Sequence, residues 1–180
     1  MQITLKKLAF VALILLPGMV IAQSDTTPLT MQMRDGKIYF DNTYSLDAKL
    51  KKEDLFSRAS TWFKDAFLYP EKSIDVSDDK KGEISGTGIF KIVTSSSGNY
   101  YWIRFRVNII VHNATYELKA YEFYEKPIEN GISNEYSKIE YRWWDYRQGK
   151  PWSAEDKTLF RGLDKNINEM LNSLAAAMSK

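Results

Sequence analysis

Between Tyr100 and Phe123, large side chains return at every second position, and only extended strands turn that period into a single face. Tyr101, Ile103, Phe105, Val107, Ile109 and Val111 alternate with Trp102, Arg104, Arg106, Asn108 and His112. The alternation breaks at Asn113-Ala114 and resumes at Thr115, which predicts two strands joined by a two-residue turn; Asn113 tolerates the left-handed backbone such turns need. That turn pairs residue 112 with 115, 108 with 119 and 106 with 121. It also sets Leu118 opposite Ile109 and Ala120 opposite Val107, so one face of the hairpin is core. The other face collects Trp102, Arg104, Arg106, Lys119, Tyr121 and Phe123.

The flanking segments complete an α+β reading. Glu83 to Val93 places Ile84, Gly86, Gly88, Phe90 and Ile92 on one side of a further strand. The serine-rich stretch Thr94 to Asn99 then links it to Tyr100 as a hairpin loop, making the sheet antiparallel. Gly86 and Gly88 leave room for another element, expected to be a helix, to approach the sheet. They do not read as a phosphate loop, because no Lys-Ser/Thr pair follows. From Lys51, apolar residues at Leu55, Phe56, Ala59, Trp62, Phe63 and Phe67 form a helical stripe that Pro70 stops. Core packing explains this stripe better than a ligand box at Trp62 and Phe63. Ser153 and Asp156 have capping-box spacing ahead of the closing stripe Leu159, Phe160, Leu163, Ile167, Met170, Leu171, Leu174 and Met178. Lys37 to Asp41 reads as a short strand with a turn at Asn42. The expected architecture is an antiparallel sheet with helices packed on one face.

The N-terminus bounds compartment and charge. Lys6 and Lys7 precede an apolar run from Leu8 to Leu16, Pro17-Gly18 breaks it, and Val20-Ile21-Ala22 supplies small residues, the layout of a cleavable export signal over residues 1–22. The run is shorter than the roughly 20 residues a membrane-spanning helix needs, so no membrane anchor is expected after cleavage. Residues 23–35 read as a polar, flexible leader, and 36–180 as a single domain, periplasmic or secreted. With no cysteine, the chain forms no disulfide. Of 25 Lys and Arg, two leave with the signal, so 23 remain against 23 Asp and Glu. A formally neutral domain is poorly suited to neutralising phosphates, and nucleic acid is not an expected partner.

Catalytic chemistry finds little support in the residues. The single histidine, His112, stands at a strand end beside the turn, and no Ser-His-acid set can be argued around it. Asp78-Asp79 belongs to a charged turn, and Glu155-Asp156 to the first turn of a helix, where acids favour the dipole. No metal ligand set and no cofactor motif is present. The chain is read as not an enzyme. The alternative is a carboxylate-dependent hydrolase acting on glycans, with distant acids and Trp143, Trp144 and Trp152 lining a groove.

The chain resembles a family of exported bacterial proteins, a domain of unknown function with a fold like that of the TATA-binding protein. The resemblance rests on Leu55-Phe56-x-x-Ala59-x-x-Trp62-Phe63, Ile84-x-Gly86-x-Gly88, the hairpin ending at Tyr116 to Tyr124, and Leu171-Asn172-Ser173-Leu174. It implies a curved antiparallel sheet with helices on one side and brings no activity, cofactor or catalytic residue. DNA binding does not follow from such a fold.

Two candidate binding surfaces remain, both suited to a protein or glycan partner. One is the non-core sheet face with Trp102, Arg104, Arg106, Tyr121 and Phe123; the other is the aromatic stretch with Trp143, Trp144, Tyr146 and Trp152. Residues 127–152 could instead fold over that sheet face and bury it.

Overall fold

The computed structural model describes residues 29–67, 73–129, 131, 134–147 and 153–180, without the side chains of 144–147. Strands β1 (Met33–Arg34) and β2 (Lys37–Ile38) form a small hairpin. Then come β3 (Phe40–Ser45), helix α1 (Lys52–Ala66), β4 (Ile74–Asp78), β5 (Glu83–Val93), β6 (Tyr100–His112) and β7 (Thr115–Ile128). The chain closes with β8 (Ser137–Lys138), α2 (Glu140–Arg147) and α3 (Ala154–Met178). The main sheet is antiparallel, in the order β3-β7-β6-β5-β4, and β8 continues the β3 edge by pairing with β7 at Tyr124 and Glu125.

The β6–β7 register is the one that the two-residue turn dictates, with His112 facing Thr115, Asn108 facing Lys119 and Arg106 facing Tyr121. Ile103, Val107, Ile109, Val111, Leu118 and Ala120 are buried on the side where α1 and α3 pack. α1 contributes Leu55, Ala59, Trp62 and Phe63, and α3 contributes Leu159, Phe160, Leu163, Ile167, Met170, Leu174 and Met178, while Leu171 is only partly buried. The α3 capping box forms as expected: Ser153 Oγ accepts from the Asp156 amide at 3.0 Å, and Asp156 accepts from the Ser153 amide at 3.1 Å. Its other end is closed by Arg58, which donates to the Met178 carbonyl at 2.7 Å.

Three expectations are corrected. Strict alternation fails in β7, because Glu122 adopts a left-handed φ of +57° and a bulge sets Glu122 and Phe123 opposite Phe105 alone. The extra residue inverts the rest of the strand, so Phe123 is 0% exposed and stacks on Phe105 at 5.1 Å on the helix side. Close approach to the sheet, by contrast, occurs at both glycines as expected. A Cβ on Gly86 would overlap the Ser73 carbonyl and one on Gly88 the Phe105 ring, whereas α3 meets β5 where Gly162 faces Ile92. No turn forms at Asn42, where β3 continues to Ser45. Finally, residues 29–35 belong to the fold: Leu29, Met31 and Met33 pack on the core, and Tyr39 donates its amide to the Gln32 carbonyl at 3.0 Å. Residues 1–28, which include the expected signal, lie outside the described residues.

Candidate functional site

The two sides of the sheet treat charge differently. On the helix side, the bulge turns Glu125 inward, where it is 4% exposed and gripped by Arg142 of α2, whose Nε lies 2.6 and 2.7 Å from the two carboxylate oxygens. Arg142 also donates to Asp156 at 2.9 Å and to the Tyr101 hydroxyl at 3.1 Å, which joins α2, α3 and β6 in one network. Burial pushes the Glu125 carboxyl up, opposed by Arg142. Burial also acts against charge at Asp156, but hydrogen bonds from Ser153 and Arg142 outweigh it and hold that carboxyl below its ordinary value. The Tyr101 hydroxyl is pushed up to about 12, chiefly by burial. A second buried acid, Glu140, accepts from the Ile38 amide at 3.0 Å and ties the small hairpin to α2.

On the outer side, side chains stand in rows set by the register. The row nearest the β5–β6 loop is Val93-Tyr100-Ile128, the next is Lys91-Trp102-Lys126, and the third is Ile89-Arg104-Tyr124. Further along stand Thr87-Arg106-Tyr121, with Tyr39 stacked on Tyr121 at 5.9 Å. Tyr136, arriving just before β8, folds over Arg104 with the guanidinium 4.2 Å from the ring centroid; Tyr124 flanks the same arginine at 5.3 Å. Lys91 sits 4.1 Å from the Tyr100 ring and Lys126 5.8 Å from Tyr136. Where β7 bulges, Thr87, Arg104, Phe105, Arg106, Glu122 and Tyr124 line an open groove of about 300 Å³.

The expected site residues therefore separate. Trp102, Arg104, Arg106 and Tyr121 come together, half-buried, on the outer face. Phe123 does not join them, because the bulge sends it into the core. Trp143 is also core, 7% exposed and edge-on to Phe160 at 5.3 Å, since α2 packs on the helix side through Ile139 and Trp143. The side chains of Trp144 and Tyr146, and all of Trp152, lie outside the described residues. Among the described residues of 127–152, only Tyr136 reaches over the outer face in this way. Tyr39, Lys91, Tyr100, Tyr124, Lys126 and Tyr136 were missed by sequence reasoning. Extending the hairpin register into β5 would have found Lys91 opposite Trp102, but Tyr124 and Lys126 reach this face only through the bulge.

The two arginines of the outer face differ. Arg106 is tied to Asp75, reaches Thr87 at 3.3 Å, and has Tyr121 within hydrogen-bonding reach. Arg104 touches ring faces, and among the described residues no acceptor binds its guanidinium. A groove of about 450 Å³ between α1 and α3 is lined by Arg58, Trp62 and Ser173, whose polar groups are engaged in structure. His112 is exposed, 3.8 Å from Glu117, at the strand end.

An antiparallel sheet with helices on one side and an open face on the other defines the TBP-like class of α+β folds. More particularly, residues 40–126, from the start of β3 almost to the end of β7, match the model of the family described as a domain of unknown function (DUF4468) with TBP-like fold. A crystal structure of a DUF4468 family protein from Bacteroides ovatus superposes with a TM-score of 0.68 at 18% identity, covering 83% of this chain and 91% of that one. A TBP-like protein from Parabacteroides distasonis gives a TM-score of 0.67 at 13% identity, covering 82% and 96%. These likenesses show the fold. No curated protein sequence matches the chain.

Proposed function

We propose that this protein is an exported, non-catalytic interaction module, and that the open sheet face around Arg104 is its binding surface. The observation that carries the reading is Arg104 itself, a half-buried guanidinium held between Tyr124 and Tyr136 with its donors unclaimed by any described residue. A guanidinium held in place by two rings, with donors still open to solvent, is pre-organised to meet acceptors supplied by a partner. Tyrosine, tryptophan and arginine are also the residues that dominate interface energetics; Tyr124 and Tyr136 flank this arginine, and the Tyr100–Trp102 pair stands on the same face nearer the β5–β6 loop. Export rests on the layout of residues 1–22, and among the described residues no helix is long and apolar enough to cross a membrane.

A glycan hydrolase has one observation in its favour, the raised Glu125 carboxyl. Both of its oxygens are occupied by Arg142, and the outer groove offers a single carboxylate, Glu122, where such chemistry uses two. The interaction reading is tested by placing a photoreactive benzoylphenylalanine at Tyr124, or at the exposed Lys165 of α3, in cells that export the protein. Adducts from position 124 and none from 165 are expected. Equal labelling from both, or none from 124, contradicts the assignment.

A further inference from the structure

Charge is unevenly distributed along the outer face. The three rows nearest the β5–β6 loop hold Lys91, Arg104 and Lys126 and not one Asp or Glu. The rows beyond the bulge carry acids already engaged: Asp75 with Arg106, Asp41 with Arg34 at 2.8 Å, Glu117 with Lys119 at 3.3 Å, and Glu83 with Asn108 at 2.8 Å. Among the described residues, none of the three cations at the loop end has an ion pair, although Glu122 lines the groove beside Arg104. Each cation instead lies over a tyrosine of its own chain, which limits its freedom and keeps its remaining donors towards solvent. Strand spacing puts the backbones of Lys91 and Lys126 about 10 Å apart across Trp102, with Arg104 about 7 Å along the sheet.

Resting on the reading of this face as a binding surface, we propose that its loop end, formed by Lys91, Trp102, Arg104, Tyr124, Lys126 and Tyr136, binds an extended acidic segment of another protein. Carboxylates of such a segment would accept from Arg104 and pair with the two lysines, while Trp102, in the middle of the patch, gives it an apolar anchor. An acidic polysaccharide fits less well. Sugar rings stack on free aromatic faces, and Tyr100, Tyr124 and Tyr136 each carry a cation of this chain on a face.

The test is calorimetric titration of the full exported chain with poly-glutamate, with polygalacturonate and a single-stranded oligonucleotide as competitors. Poly-glutamate should bind, and its binding should weaken with salt. Arg104→Ala should weaken it at least about tenfold, Lys91→Ala and Lys126→Ala about threefold each, and Arg106→Ala less than about twofold. Absence of poly-glutamate binding, binding indifferent to Arg104→Ala, or tighter binding of either competitor overturns the proposal. Cross-linking from position 124 separates the two levels: adducts without poly-glutamate binding remove the acidic segment and leave the interaction reading, whereas no adducts remove both.

Discussion

Arg142 and Arg104 stand on opposite sides of the same sheet and show what a burial environment makes of one side chain. Arg142 meets two carboxylates and a phenol, and it locks the N-terminus of α3 and the body of α2 onto β7. Arg104 lies against the rings of Tyr124 and Tyr136, and among the described residues no acceptor binds it. The first arrangement is complete within the chain, so its removal should be felt as lost stability. The second is incomplete, so its removal should be felt by a partner. Arg106, tied to Asp75 on the outer face, stands between them.

This contrast can be broken most forcefully on the helix side. Trp62 is 5% exposed, edge-on to Phe67 at 5.7 Å, and donates to Ser173 at 3.0 Å, so Trp62→Ala should cost about 3–5 kcal/mol in urea unfolding. Arg142→Ala leaves Glu125 buried without its partner and should cost about 3 kcal/mol. Adding Glu125→Gln to that variant should recover part of the loss. A wild-type midpoint for Arg142→Ala would mean that the network is ornamental.

A smaller effect sharpens the same side through pH. Tyr116 is 1% exposed, its ring stacked on that of Tyr44 at 4.7 Å, and burial pushes its hydroxyl up to about 12, with Tyr44 adding to the shift. In the unfolded chain a tyrosine ionises near 10. The folded state therefore holds this proton more tightly; the stabilisation is whole below pH 10 and is lost as pH rises towards 12. Denaturation curves of Tyr116→Phe should fall less steeply between pH 10 and 12 than those of the wild type. Parallel curves would place the hydroxyl in solvent.

The hairpin register was legible because a period of two, broken by a two-residue turn, leaves one pairing that sets Leu118 and Ala120 opposite Ile109 and Val107 on the core face. The bulge was not. Bulges of this kind often announce themselves with glycine, and here Glu122 takes the left-handed position instead, so nothing in Tyr121-Glu122-Phe123 marks the change of face. The consequence is specific: strict alternation puts Phe123 on the outer face and Tyr124 and Lys126 off it, and the bulge reverses all three. α2 escaped a periodicity argument because Glu140 is buried through the Ile38 amide and Arg142 turns inward to Glu125, which breaks the apolar stripe with charge. The packed part of the supposed leader did carry a signal, since Leu29, Met31 and Met33 alternate. Arg104 was identified from alternation alone. That no described residue offers it an acceptor is visible only in three dimensions, and no spacing reveals it.

The most direct measurement is the urea unfolding of Arg104→Thr combined with Tyr124→Thr, which removes the centre of the open patch while placing β-branched residues, which favour strands, at both positions. The double variant should unfold within about 1 kcal/mol of the wild type, because neither side chain closes a contact that the fold requires. A loss of about 3 kcal/mol or more, equal to that of Arg142→Ala, would show that the outer face is a structural layer like the inner one and would contradict its assignment as a binding surface.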